Sequence, residues 1–372
     1  MIPITRPQLP PLQDYVKLLE QIWSTRMLSN FGTFSQQLEQ IASRQLQVGA
    51  RTTSSGDVGL CCAISCLDLP AGTTCLVPSF TFNSTINAVL WNDLIPVFVD
   101  VDPQTFCMDP DAAAAAVDRC GPSLIVATHV FGNPCDADRL GALAKANDAR
   151  LLFDAAHGYG SRRGDTPVGG LGDVEVFSLS GTKPVTCAEG GLVTSRDERF
   201  LRRVEYARAY GFQHDYNSQF AGMNGKMSEL HAALGTLTLP TIDNVLAHRD
   251  TQIARYRELL ADVPEVRFQH VRAEDRSTFK DLALVFDDHD ARERARTALA
   301  ARDIQTKLYF RPCHRMDAFF AFADEALPAT DHLFDHILCV PLYAELADQT
   351  IEEICGVVRA AAQTTAGVSS RR

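Results

Sequence analysis

A chain of 372 residues, 46% of them hydrophobic, is long enough for two lobes or for one large domain with a smaller partner, which excludes a disordered chain. A formal charge of −11 argues against nucleic acid as a partner, since binding a phosphate backbone needs a basic surface; a small anionic ligand stays compatible with a local pocket of cations and amides. The longest apolar runs, such as Ser123–Val130 and Leu151–Phe153, fall short of the roughly 18 residues of a membrane span, and Met1–Pro7 lacks the basic and apolar segments of a secretory signal, so a soluble cytosolic protein is expected.

The eleven cysteines are odd in number and scattered through apolar segments, as in Gly59-Leu60-Cys61-Cys62-Ala63-Ile64-Ser65-Cys66, which predicts buried free thiols. No Cys-x-x-Cys pair occurs and no histidine stands near Cys61, Cys62 or Cys66, so no metal site is predicted.

In chain order, the first chemical signal is Thr53-Ser54-Ser55-Gly56-Asp57-Val58-Gly59, a small-residue turn opening a helix over Val58–Leu67. Free amides at such a helix start suit a phosphate, although an ordinary capped helix gives the same pattern. Apolar runs then predict strands at 74–77, 95–99, 124–127, 150–153, 174–177 and 191–194, with helices between them at 81–92, 110–118 and 137–147. This alternation is α/β and implies a mostly parallel sheet buried on both faces, with ligands at the carboxyl ends of its strands.

Two further signals fall at such ends. In Phe153-Asp154-Ala155-Ala156-His157-Gly158 a carboxylate follows an apolar strand directly, where it can pair with a protonated ring nitrogen or merely cap a helix. In Phe177-Ser178-Leu179-Ser180-Gly181-Thr182-Lys183-Pro184 a lysine sits on a hydroxyl-rich turn, where partial desolvation favours its neutral, nucleophilic form; alone it reads as a surface charge. Beyond His248 a charged helix over 249–260 leads to strands at 279–286 and 307–310 and helices at 290–302 and 349–362, a smaller α+β lobe, and Thr364–Arg372 is expected to fray. The division is placed at 1–245 and 246–372.

With these pieces assembled, the chain resembles the DegT/StrS family of sugar-nucleotide aminotransferases from Trp23 through Leu342. The specific matches are Pro78-Ser79-Phe80-Thr81-Phe82, Asp154-Ala155-Ala156-His157, Phe177-Ser178 with Thr182-Lys183, Glu189-Gly190-Gly191 and Asn224-Gly225-Lys226-Met227-Ser228-Glu229. The resemblance implies the aspartate-aminotransferase fold (fold type I), with a mostly parallel seven-stranded sheet in the large domain, and pyridoxal 5'-phosphate as cofactor. It implies Lys183 as the residue that holds the cofactor and shuttles a proton, Asp154 on the pyridine nitrogen, His157 against the ring hydroxyl and Phe82 stacked on the ring. Gly56, Asp57 and Ser178 match phosphate-binding positions, and Asn224 matches a residue that reaches the phosphate from a neighbouring subunit, so a homodimer with its active site at the subunit interface is implied.

Asp57 departs from the family, whose members usually carry Thr or a small residue there. A carboxylate beside a phosphate is unfavourable unless it turns away to cap its own helix. Ser180 likewise replaces a larger residue. The segments Thr128–Cys135, Asn224–Glu229 and Tyr309-Phe310-Arg311-Pro312-Cys313-His314 resemble the branch acting on dTDP-4-keto-6-deoxy-D-glucose, with L-glutamate or L-glutamine as donor. Lys226, Tyr309 and Arg311 are candidates for the sugar or diphosphate. A 3-keto sugar, an aminocyclitol precursor and a non-catalytic cofactor-binding role stay open.

Overall fold

The computed structural model describes residues 1–212 and 216–363; the expected fraying of Thr364–Arg372 lies outside the described residues. Two helices, α1 (Leu12–Thr25) and α2 (Thr33–Leu46), precede the alternating region. That region runs β1 (Gly49–Thr53), α3 (Gly56–Cys66), β2 (Thr74–Pro78), α4 (Asn83–Leu90), β3 (Ile95–Val99), α5 (Pro110–Cys120), β4 (Leu124–Thr128), α6 (Ala137–Ala146) and β5 (Arg150–Asp154). A small hairpin of β6 (Arg162–Arg163) and β7 (Thr166–Pro167) leads to β8 (Val174–Ser178), β9 (Gly191–Ser195), α7 (Glu198–Ala207) and α8 (Glu229–Thr238).

Seven of these strands form one sheet in the order β1-β9-β8-β5-β4-β2-β3. Every neighbouring pair from β8 through β3 is parallel, whereas β9 is antiparallel to both β8 and β1, so one strand of the seven runs against the rest. Strand periodicity builds both faces. Leu76, Ile125, Leu151 and Phe153 pack with α5 and α6 on one side, while Cys75, Val77, Leu124, Val126 and Leu152 pack with α3, α4 and α7 on the other. The cysteines are free thiols, all but Cys120 buried, and Cys61, Cys62, Cys66 and Cys75 fill space in the second of these layers.

The chain continues through α9 (Ile242–Leu259), β10 (Val266–Phe268), β11 (Leu282–Phe286), α10 (His289–Ala300), α11 (Pro328–His336), β12 (Ile337–Val340) and α12 (Asp348–Gln363). Strands β10, β11 and β12 make a three-stranded antiparallel sheet. Helix α9 begins at Ile242, not at Arg249 as its charge pattern suggested, and the expected division at 245/246 falls inside it. Its first half gives Ile242, Val245 and Leu246 to the cluster around α2 and α8, and its second half gives Ile253 and Tyr256 to the cluster around α10 and α12.

Two strand expectations need correction. The run expected from Phe279 starts pairing only at Leu282, because Thr278 and Lys280 bond instead to the loop after β4 and to the turn after β5. Residues 307–310 make one isolated bridge, Lys307 to Cys339, and no strand. No helix among the described residues is long and apolar enough to cross a membrane.

Candidate active site

The carboxyl ends of the parallel strands converge on a cavity of about 270 Å³. Its lining includes Gly56 and Asp57 from the start of α3, Thr81 and Phe82 from the turn after β2, Asp154 at the end of β5, Ser178 at the end of β8, and Lys183 from the loop beyond. The residues expected together from three separate motifs, Gly56 with Asp57, Asp154, and Ser178 with Lys183, share one cleft with Phe82, which the resemblance placed there, and with Thr81.

The α3 start is tied down before any ligand arrives. Ser55 accepts from the Val58 amide at 3.2 Å and caps the helix, so the cap assigned to Asp57 belongs to Ser55, and Asp57 stands exposed in the first turn. The Gly56 and Asp57 amides make no hydrogen bond among the described residues. A Cβ on Gly56 would come to 3.0 Å from the Ser178 Cβ, so any larger residue would push α3 and the end of β8 apart by a few tenths of an ångström. What results is a cradle of two free amides and the Ser178 hydroxyl at the positive end of a helix dipole.

Asp154 is buried. Its Oδ2 accepts from the Thr85 hydroxyl at 2.6 Å and its Oδ1 from the Ala156 amide at 3.0 Å. Thr85 is held in turn by Thr81 at 2.9 Å, which also lies 3.0 Å from Thr128. Burial pushes the Asp154 carboxyl up; the two donated hydrogen bonds and the Lys183 charge oppose it. The threonine chain was not singled out in the sequence, although Thr81 and Thr85 have the i, i+4 spacing that puts two hydroxyls on one side of a helix start.

Burial also pulls the Lys183 ammonium down to about 8, with the Lys280 charge adding to that effect and Asp281 and Asp154 partly opposing it. His157 is buried, lies nearly parallel to Phe310 at 6.0 Å, and leaves its Nδ1 without a hydrogen-bond partner among the described residues. Desolvation, then the charges of Lys183, Lys280 and Lys307, hold its pKa well below the ordinary histidine value, so the ring is neutral. Phe82, 52% exposed, presents its ring to the cleft.

Of the substrate candidates, Tyr309 lines the cavity and stacks on Phe310 at 4.8 Å. Asn224, Lys226 and Arg311 are absent from this chain's cavity lining: Lys226 bonds Asn224 at 2.7 Å and covers the Tyr210 ring at 4.2 Å, and Arg311 is exposed. Lys280, unmarked in the sequence reading, does line it.

An α/β fold that gathers a desolvated lysine, a buried carboxylate and an amide cradle at its strand ends has the groups of an enzyme site. The chain matches the DegT/DnrJ/EryC1/StrS aminotransferase family over residues 13–359 and belongs to it. It is therefore an aminotransferase. The dTDP-4-amino-4,6-dideoxy-D-glucose transaminase of Shigella dysenteriae is 28% identical over 361 residues, 96% of this chain and 98% of that protein. The UDP-N-acetyl-3-dehydro-alpha-D-glucosamine 3-aminotransferase of Acidithiobacillus ferrooxidans is 28% identical over 308 residues, 82% of each. Among solved structures, DesI in the presence of its TDP-sugar product superposes with a TM-score of 0.91 at 31% identity, covering 98% of this chain and 94% of that one.

Proposed function

We propose that this enzyme binds pyridoxal 5'-phosphate and moves an amino group from L-glutamate, or L-glutamine, to a nucleotide-linked keto-sugar, with dTDP-4-keto-6-deoxy-D-glucose the preferred acceptor. The observation that carries the cofactor reading is the match between what the cleft leaves unpaired and what the cofactor offers. Two free amides at Gly56 and Asp57 suit a phosphate; among the described residues the buried Asp154 carboxylate makes no ion-pair contact and His157 Nδ1 has no hydrogen-bond partner; and Lys183 is the desolvated amine. When bound, the cofactor supplies an electron-poor ring that stabilises negative charge at the carbon losing a proton.

The chain's own residues divide the remaining work. Asp154, ionised beside a ring cation, holds a proton on that nitrogen, and the Thr85 hydroxyl keeps the carboxylate oriented. Lys183, its Nζ partly neutral near pH 7, would hold the cofactor through its aldehyde and, once the donor amine has displaced it, would carry the proton taken from the donor's α-carbon. His157 and Phe310, nearly parallel at 6.0 Å, would exclude water from their side of a bound ring, with His157 placed to meet its hydroxyl.

For the acceptor, the 4-amino sugar named in the Shigella relative and the TDP-sugar named with DesI support a 4-keto dTDP-sugar, while the 3-aminotransferase relative favours a 3-keto sugar as the second reading. We also take the working unit to be a homodimer in which Asn224 serves the neighbouring site. Asn224 is exposed and absent from its own chain's cavity lining, and Trp23, Leu28, Phe82 and Tyr210 are exposed hydrophobic side chains that a second subunit would cover. The division near residue 245 and a cytosolic location complete the proposal.

The test is to incubate the aminated cofactor form of the enzyme with 4-keto and 3-keto nucleotide sugars and to locate the new amine by NMR. Amination of the dTDP-4-keto-6-deoxy sugar at C4 is expected. Conversion of 3-keto sugars alone would overturn the preferred acceptor and leave the second reading standing.

A further inference from the structure

One wall of the cavity carries more positive charge than the cofactor reading uses. Lys280 lines the cleft with a side chain 2% exposed, and its Nζ lies 2.8 Å from Asp281, which is equally buried. Lys307 reaches the same carboxylate at 3.9 Å, and Tyr309 lies beneath both ammonium groups, its ring centre 5.6 Å from Lys280 and 4.8 Å from Lys307. Two lysines thus pair with Asp281, and Lys183 feels the same carboxylate's charge without touching it. The other inner carboxylate, Asp154, is already engaged by Thr85 and Ala156.

A buried ammonium has three donors, and Asp281 takes one of those on Lys280. Leaving the others without an acceptor in so dry a place is costly, and the open side of Lys280 is the cavity. Its backbone is fixed, because the Lys280 amide donates to Phe131 O at 2.9 Å. Thr278 Oγ1 donates to His157 O at 2.6 Å, and a Cβ on Gly132 would sit 2.0 Å from that hydroxyl. The cation is therefore held in place before a ligand enters.

We propose that Lys280 grips the α-carboxylate of the amino donor; this rests on the aminotransferase reading given above. Both half-reactions must bring a reacting carbon to Lys183. In an amino acid the carboxylate is bonded directly to that carbon, so it falls on the wall next to Lys183, where Lys280 stands. In a nucleotide sugar the diphosphate is separated from the carbonyl by the sugar ring, and the atoms beside the carbonyl are neutral. Lys280 is thus matched to the donor, and the acceptor's phosphates belong further out.

The experiment uses the cofactor-loaded enzyme and its K280M, K280Q and K280R variants, with each half-reaction followed separately by absorbance. Affinity for α-methylglutamate, which has no α-proton to lose, is measured alongside. In K280M and K280Q the half-saturating L-glutamate and the dissociation constant for α-methylglutamate are expected to rise roughly 30-fold or more, the scale of a lost charged hydrogen bond, with K280R recovering most of the loss. Half-saturation by the keto-sugar nucleotide is expected to move by less than about threefold. K280Q keeps a polar donor, one atom shorter than lysine, so it reports even if K280M does not fold. Unchanged donor saturation, or an equal or larger loss on the keto-sugar side, overturns the assignment. A parent enzyme that performs neither half-reaction sinks the function itself, a result distinct from both.

Discussion

The titration of Lys183 is the property most directly open to measurement. With its pKa near 8, about one lysine in ten is neutral at pH 7; at the ordinary value of 10.5 the fraction would be about one in three thousand, so the site gains roughly 300-fold in free amine. The cause is first the loss of water around Nζ and second the Lys280 charge, with Asp281 and Asp154 pulling the other way. Competitive labelling of the cofactor-free protein with acetic anhydride across pH 5 to 11, read by mass spectrometry of the Lys183 peptide, should therefore give a midpoint close to 8. The midpoint should rise in Lys280→Met and fall in Asp281→Asn. A midpoint above 10 in the parent protein would refute the claim that burial activates this amine.

Three further outcomes follow from the same geometry. A lysine whose folded pKa is depressed costs stability wherever it is charged, so the cost is complete below about pH 8 and disappears as the pH rises through the unfolded value of 10.5. Lys183→Met should thus stabilise the cofactor-free protein by about 1 to 3 kcal/mol at pH 7 and by little at pH 10.5, as urea unfolding would show. Asp154→Asn keeps the side-chain size without the buried charge; the fold should be at least as stable at pH 7 by thermal unfolding, while the amino-transfer rate falls roughly 100-fold or more, and a rate within threefold of the parent would remove Asp154 from the site. Gly56→Ala places a Cβ 3.0 Å from Ser178, and although alanine favours the helix, cofactor affinity measured by fluorescence titration should drop roughly tenfold.

Much of this site could be read from the chain because its parts lie at the ends of strands with strong apolar signatures. Leu124–Thr128, Arg150–Asp154 and Val174–Ser178 are each bounded by turn residues, so Asp154, Ser178 and Lys183 could be placed on one edge before any coordinates. Strand β1 escaped notice because Gly-Ala-Arg-Thr-Thr is a polar edge strand whose antiparallel partner, β9, comes more than a hundred residues later. Helices α1 and α2 were not singled out either, although the resemblance extended back to Trp23. Lys280 carries no local signal at all. It reaches the cavity because Thr278 and Lys280 bond to the turns after β5 and β4, a long-range arrangement that periodicity cannot report. Asp57 would suit a phosphate turn only by turning away to cap its helix, and the structure gives that side-chain cap to Ser55, which accepts from the Val58 amide. Arg311 was chosen as a cation suited to an anionic nucleotide; in the structure it is exposed and outside this chain's cavity lining.

Lys183 is one of three lysines gathered at this wall, and this allows a decisive measurement. Purified protein incubated with pyridoxal 5'-phosphate should show a near-visible absorbance band, and borohydride reduction followed by peptide mapping should find the cofactor attached to Lys183. Attachment at Lys280 or Lys307, or no band at all, would contradict the account.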